Sequence, residues 1–443
     1  MSDLKAYLLC RFAHNSGVYT SWADDSPIPT VVVDEFLPDW TVPDDAGIII
    51  THMHYRWEEL TALRKFLQQD RVPVLILSDG IVEYRNAWEH PDLADGLMFQ
   101  PALGHKLACI GRGQARVLES WGNVGQCEVV GLPRLDSVQP SAAKPPKTSG
   151  PFRVLVATAN TPAFDAGQRE TVVDSLKQLK DWFSNNPIVP GQDQRPIEVV
   201  WRLSDGLEAD IGLDEAISDS GSDSDQRLPI GDVINSVDAV ITTASTMILE
   251  SMLRKRPTAV LDFHFSPCYF STPWMIKTAE QFEFTISQLS NPPKHKMMFQ
   301  EFVLSDQLEC QTPAKPRMLQ LIKGLVAAGI EARQTGNPIQ LPARMLPDPQ
   351  AGFAAVPDSF ELQSLYGNNA AFANREIDQL KIELAAAIKR LDQLPAELVE
   401  KNHHIVELNK KLDRARARVD EMHDRVVAIR KRFGVEPLDQ EDQ

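Results

Sequence analysis

Residues 238–262, DAVITTASTMILESMLRKRPTAVLD, constrain what this chain can fold into more than any other stretch. The β-branched run from Ala239 to Thr242 reads as a buried strand, and so does the run from Thr258 to Leu261. Between them a helix starts on the hydroxyl cluster Thr242, Thr243, Ser245 and Thr246, and Arg256-Pro257 ends it. The N–H groups of a helix's first turn lack intrahelical acceptors and sit at the positive end of its dipole. This strand end is therefore a candidate anion site. Glu250 follows about one and a half turns in, where a carboxylate can take the hydroxyls of a bound ribose. A plain α/β crossover with a Ser/Thr cap accounts for the same residues, so the rest of the chain has to decide.

A chain of 443 residues exceeds one ordinary domain, so two or three are expected. No apolar run approaches the length of a bilayer span. The start, MSDLKAYLLCRF, lacks the pattern of a signal peptide, which leads to the expectation of a cytoplasmic protein. Cys10, Cys109, Cys127, Cys268 and Cys310 are scattered without zinc or disulfide spacing, so reduced and mostly buried thiols are expected. A net charge of −16 argues against nucleic acid as a partner.

Up to about Asp136, apolar β-type runs alternate with helical patterns. The predicted strands are Ala6–Arg11, Thr30–Val33, Gly47–Ile50, Val74–Leu77, Gly96–Phe99 and Cys127–Val130; the predicted helices are Trp57–Gln69 and Gln114–Trp121. Such repetition predicts a mostly parallel sheet covered on both faces. The Pro/Ser/Lys stretch 138–150 reads as a linker. The alternation then resumes with strand Arg153–Ala157, helix Gln168–Phe183, strand Glu198–Leu203 and a helix from about Gly231 to Ser236. Residues 217–226, ISDSGSDSDQ, lack the ordered spacing of a calcium loop and read as a solvated loop. Lys315–Ala328 reads as the last helix of the second domain, and Pro-rich chain from Asn337 to Asp358 leads out of it. The expected architecture is α/β: two Rossmann-like domains, 1–140 and 151–335, with a cleft between them. Ligands of such sheets bind outside the carboxyl ends of the strands.

A coiled coil is expected over 373–434. From Ile377 the a/d series runs through Leu380, Leu384, Ala387, Leu391, Leu394 and Leu398, then from Ile405 to Phe433; only Lys401 interrupts it, near Pro395, which should kink the helix. An unbroken rod of this kind would be about 85 Å long. The distal e/g positions Lys411, Arg416, Arg418, Arg425, Arg430 and Arg432 are all basic, so a parallel homodimer would set base against base. An antiparallel pair brings Glu376, Glu383 and Glu397 near Arg432, Arg425 and Lys411, with Arg390 and Arg418 a mismatch. The expectation is antiparallel self-association or pairing with another assembly protein through an acidic helix. A helix solvated by its charges, its basic half lying peripherally on anionic lipid, fits the same pattern.

The segment D-A-V-I-T-T-A-S-T-M-I-L-E followed by R-P-T-A-V-L-D resembles the nucleotide-binding half of GT-B glycosyltransferases, in particular the clan of CDP-glycerol glycerophosphotransferases and capsule-polysaccharide enzymes. That clan's Ser-Ser-x-x-x-Glu pattern followed by Lys-Pro stands here as Ser245-Thr246, Glu250 and Arg256-Pro257. Val130-Gly131-Leu132-Pro133-Arg134-Leu135-Asp136 resembles the G-x-P-R-x-D that closes the first domain of the clan. The resemblance spans roughly residues 70–140 and 150–265. It implies a glycosyltransferase that moves a sugar from a nucleotide-activated donor to a glycan or lipid-linked glycan at the inner face of the membrane. It also implies that Thr243, Ser245 and Thr246 hold the donor's phosphates and Glu250 its ribose, with neither cofactor nor metal. The chain departs from the clan where relatives carry Arg/Lys-x-His-Pro; it reads Trp201-Arg202-Leu203-Ser204. The missing histidine favours sugar transfer over transfer of a CDP-activated polyol phosphate, and Arg202 remains suited to a leaving phosphate. A non-catalytic coiled-coil assembly protein with a degenerate head is the alternative from another class.

Glycosyl transfer needs a group that takes the acceptor's proton. Asp79, in Ser78-Asp79-Gly80 at the end of strand Val74–Leu77, is the candidate base, and an Asp-Gly turn is the competing reading. Glu83 and Tyr84 just beyond are candidates for seating the acceptor. Thr158 and Asn160 end strand Arg153–Ala157 where it should face the cleft, as a simple strand-end turn also would. His264 follows the strand ending at Asp262 and is placed near the phosphates; His52 and His54 read equally as loop residues.

Overall fold

Two sets of short buried runs become two parallel sheets. The computed structural model describes residues 4–9, 20–33, 40–52, 57–91, 93, 98–100, 102–138, 150–191, 193–204, 206–213, 228–347 and 370–432. The chain divides into two units, Met1–Val356 and Pro357–Gln443. In the first unit, β1 (Lys5–Leu9), β2 (Thr30–Val33), β3 (Ala46–Thr51), β4 (Val74–Leu77), β5 (Lys106–Cys109) and β6 (Cys127–Val129) form one sheet in the order β2-β1-β3-β4-β5-β6. β7 (Phe152–Ala157), β8 (Ile197–Arg202), β9 (Ala239–Thr242), β10 (Thr258–Leu261) and β11 (Trp274–Ile276) form the other, in the order β11-β10-β9-β7-β8. All their pairings are parallel. This is the pair of Rossmann-like sheets expected from the sequence.

The strands read as continuous apolar runs because both faces are covered. In the first sheet Ile49, Val74 and Ile76 face a cluster with Leu63, Phe66, Ala115 and Leu118, from helices Trp57–Gln69 and Arg112–Ser120. Ile48, Ile50, Leu75 and Leu77 face the other way, onto Met318, Leu321, Ile322, Leu325 and Val326. Those five residues belong to helix Ala314–Thr335. The helix predicted at Lys315–Ala328 therefore covers the first sheet and does not close the second domain as expected. The end of the unit returns to bury that apolar face of the first sheet.

Residues 337–347 follow the same course. Lys106 and Glu128, each 1% exposed, pair at 2.8 Å between β5 and β6. Lys106 Nζ also donates to the carbonyls of Gly125, Pro342 and Ala343, while Glu128 accepts from the Met345 and Leu346 amides. Every charge is thus satisfied, the condition for burying such a pair. β5 and β11 were not foreseen as strands. The strand predicted at Gly96–Phe99 is absent at Met98 and Phe99, which form a bend whose apolar side chains still enter the core.

The linker core 139–149, His54, the loop 217–226 and the Pro-rich residues 348–358 lie outside the described residues, as does Cys10. Cys109 and Cys127 are buried, Cys268 and Cys310 are exposed, and all four are free thiols. Among the described residues, the second unit contains one helix, Ala370–Arg432, unbroken through Pro395. In the single chain its seam residues Leu384, Leu398 and Val419 are 60%, 61% and 58% exposed. Among the described residues, no helix is long and apolar enough to cross a membrane.

Candidate functional site

In the second sheet, β8 lies on one side of β7 and β9 on the other, so the strand order reverses at β7. Ligands of open α/β sheets bind outside the carboxyl ends of the strands at such a reversal. The segments leaving β7 and β9 are Thr158–Thr161 and Thr243–Thr246, and their side chains lock together. The Ala159 amide donates to Thr243 Oγ1 at 2.8 Å, and the Ser204 amide, beyond β8, donates to Thr158 Oγ1 at 2.8 Å. Thr242 Oγ1 bonds Thr243 O at 3.1 Å and meets Ser245 Oγ at 3.2 Å. Helix Met247–Leu253 follows, with Thr246 at its start.

A cavity of about 830 Å³ opens above these strand ends. From the second sheet it is lined by Thr158, Asn160, Arg202, Ser204, Ser245, Thr246 and Glu250. The facing wall carries Asp79, Gly80, Glu83, Arg85, Asn86, His90 and Arg134. The cavity is lined by residues that follow strands of both sheets, and it gathers eight of the eleven candidate side chains: Asp79, Glu83, Thr158, Asn160, Arg202, Ser245, Thr246 and Glu250.

The remaining three stand elsewhere. Thr243 is buried, and its hydroxyl is committed to Ala159, so it shapes the turn instead of lining the cavity. Tyr84 stacks on Trp88 at 6.2 Å and meets Tyr269 at 6.3 Å, in an aromatic cluster outside the cavity wall. His264 also lies outside that wall. Its amide donates to Asp262 Oδ1 at 3.3 Å, and its Nε2 is buried with no hydrogen-bond partner. Burial, and then the positive charge of Arg85, push its imidazole down to about 4.

Glu83 reaches the cavity but is already employed. Its carboxylate caps helix Tyr84–Trp88 through the Asn86 amide and accepts from Arg85 Nε at 2.6 Å. Arg85 in turn donates to the Pro162 carbonyl at 3.0 Å, bolting one wall to the other. The same rim is joined by Gln168 donating to Glu89 at 2.9 Å and by the His90 ring against Phe164 at 4.8 Å. Asp79 is exposed and lines both the large cavity and a recess of about 90 Å³ that it shares with His52. Burial lowers the His52 imidazole to about 4, with the charge of Asp79 acting in the opposite direction.

No family model and no curated protein matches the sequence. Solved structures similar to it include the wall teichoic acid polymerase TagF, 11% identical with a TM-score of 0.46 over 74% of this chain and 90% of that one. Another is S. aureus MnaA with UDP, 12% identical with a TM-score of 0.48 over 74% of this chain and 97% of that one. A third is S. aureus TarM in a complex that includes UDP, 10% identical with a TM-score of 0.36 over 64% and 55%. Each score is below 0.5, so function is read from the residues of the cleft itself.

Sequence reasoning passed over Arg134, although it stands in the quoted motif. In G-L-P-R-L-D each residue has a separate task. Gly131 has φ +96°, and a Cβ there would lie 2.7 Å from the Glu309 carbonyl. Pro133 opens a short 3₁₀ turn, and Leu135 packs with Ile248, Leu249 and Met252 of helix Met247–Leu253. Asp136 accepts from the Ala314 and Lys315 amides at the start of the returning helix. Arg134 enters the cavity wall and donates to Glu250 Oε1 at 2.5 Å. Arg85, Asn86 and His90 gave no sequence signal, because only the folded rim brings them to the second domain. Among the described residues, no group of three or more His, Cys, Asp or Glu is placed to hold a metal ion.

Proposed function

We propose that this chain is a glycosyltransferase that moves a sugar from a nucleotide-activated donor to a glycan acceptor, in the assembly of a bacterial-type cell-surface polysaccharide. The observation that carries the reading is the cavity of about 830 Å³ at the strand-order reversal of the second sheet, with Ser245, Thr246, Arg202 and Glu250 on one wall and Asp79 on the other. Its size is in the range of small-molecule sites, roughly 300–1,000 Å³. In this scheme the first-turn amides and hydroxyls at Ser245 and Thr246 hold the donor phosphates, with Glu250 at the ribose. Arg202, steadied by the Leu228 carbonyl at 2.7 Å, stabilises the charge that builds on the leaving phosphate. Asp79 takes the proton of the attacking acceptor hydroxyl.

Thermal unfolding with UDP, GDP, CDP and CMP tests the reading. A ligand at a hundredfold excess over its dissociation constant adds about 2.7 kcal/mol, a shift of roughly a few degrees for a protein of this size. Flat curves for all four nucleotides would support the non-catalytic assembly protein instead. Turnover of CDP-glycerol without turnover of any nucleotide sugar would replace the sugar by a polyol phosphate.

We also propose that the helix Ala370–Arg432 pairs antiparallel with a second copy. Its exposed heptad seam and the opposition of Glu383 to Arg425 and of Glu397 to Lys411 support this. Single cysteines placed near residues 380 and 426 should crosslink to one another between chains. Crosslinks confined to equivalent positions contradict the antiparallel arrangement.

A further inference from the structure

Arg134 is the one charged side chain that the interdomain motif sends into the cavity, and its hydrogen bonds are incomplete. Its Nη1 is given to Glu250 Oε1 at 2.5 Å. Its Nε is buried and has no acceptor, although the side chain is 24% exposed and lines the cavity. A buried guanidinium N–H without an acceptor is costly, and a planar fork of donors suits phosphate oxygens. The backbone around it is fixed on both sides, by Gly131 against Glu309 and Ala314 and by Asp136 at the start of helix Ala314–Thr335. The side chain is therefore aimed by a rigid turn.

We infer that Arg134 determines the site's preference for a phosphorylated nucleoside: the exposed part of its guanidinium takes a donor phosphate oxygen while its Nη1 holds Glu250 in position for the ribose. The inference rests on the donor reading above and assigns to the G-L-P-R-L-D turn a part in it. A buried carboxylate beside a diphosphate is repulsive unless it is neutralised. The Arg134–Glu250 pair removes that conflict, so one residue connects the two ends of the nucleotide. Because Arg134 leaves the first domain and Glu250 belongs to the second, phosphate binding also reports that the two walls are correctly apposed.

The test is the ratio of affinities for a nucleoside diphosphate and its unphosphorylated nucleoside, measured by titration calorimetry on the full chain. Uridine, UDP, cytidine and CDP are the probes. Arg134→Lys keeps a charge that can pair with Glu250 but has no fork, and should lower the diphosphate-to-nucleoside ratio at least tenfold with nucleoside affinity held within about threefold. Glu250→Gln keeps an acceptor for Nη1 and should weaken the nucleoside and the diphosphate together, leaving the ratio the same or higher. Melting curves of each variant without ligand report folding independently. A stability loss with an unchanged ratio in Arg134→Lys overturns the inference and leaves the donor reading standing. No binding of any of these four probes, nor of guanosine and GDP, by the unaltered chain overturns both.

Discussion

The two halves of the first unit differ in where they obtain their cover and in what they bring to the cleft. The second sheet is covered by helices from its own segment, Ala166–Asn185, Ile230–Ser236 and Phe282–Ser290. The first sheet borrows helix Ala314–Thr335 and the strap beyond it. At the cleft, the second sheet offers small hydroxyl side chains that brace one another at the strand ends, a fixed and preformed surface. The first offers Asp79 on an exposed turn and a rim, Glu83 to His90, that fastens itself across to Pro162, Phe164 and Gln168. In the proposed function the fixed wall holds the donor and the opposite wall supplies the base. The asymmetry yields expectations of decreasing size.

The largest concerns chemistry. Asp79→Asn should lower turnover by roughly 10²–10⁴-fold, as expected for loss of a general base, while nucleotide affinity stays within about twofold. A matching loss of affinity would place Asp79 with the donor and end the division of labour between the walls.

Next comes the borrowed cover. Lys106→Met leaves Glu128 buried without its partner and should cost about 3–5 kcal/mol of unfolding free energy in urea. The double variant Lys106→Met, Glu128→Leu should recover a large part of that. If the single variant costs less than about 1 kcal/mol, the strap contributes little to the first half, and the two halves are more alike than they look.

A smaller effect is expected at the seam between the walls. A Cβ on Gly80 would stand 1.9 Å from Thr246 Oγ1. Gly80→Ala should therefore cost about 1–3 kcal/mol through overpacking, and Thr246→Ala in the same chain should relieve most of it. Additive losses in the double-mutant cycle would show that the walls do not touch there in solution.

The smallest is a pH dependence. His52 and His264 are both lowered to about 4, against an ordinary value near 6.5. Between those values the unfolded chain binds protons that the folded chain refuses, so stability should fall as pH drops from about 6.5 towards 4. His264→Asn should flatten part of that slope. A slope of the opposite sign, or none, contradicts the buried neutral imidazoles.

Much of the second half was legible because its information is local. The strand–helix–strand reading of residues 238–262 holds, with β9 and β10 at the expected ends, although the helix stops at Leu253 and the chain turns through Lys255 at φ +54° before Pro257. The first half was less legible because its determinants are distant in sequence. β5 begins with Lys106, a residue that argues against a buried strand until Glu128 and the carbonyls of Pro342 and Ala343 arrive to satisfy it. Met98 and Phe99 carry the apolar character of a strand but serve the core from a bend. At the cavity, the sequence singled out the hydroxyl cluster but not its inner division: Thr243 spends its hydroxyl on the neighbouring turn, while Ser245 and Thr246 reach the cavity. Arg134 stood in a quoted motif, and only the folded pairing with Glu250 gave it a role.

Hydrogen–deuterium exchange with and without a bound nucleoside diphosphate tests the central claim most directly, because it locates the ligand. Protection should appear at Thr158–Thr161, at Ala244–Glu250 and around Arg134, on both walls of the one cleft. Binding that leaves these three segments unchanged, or protects a surface away from them, would contradict the account.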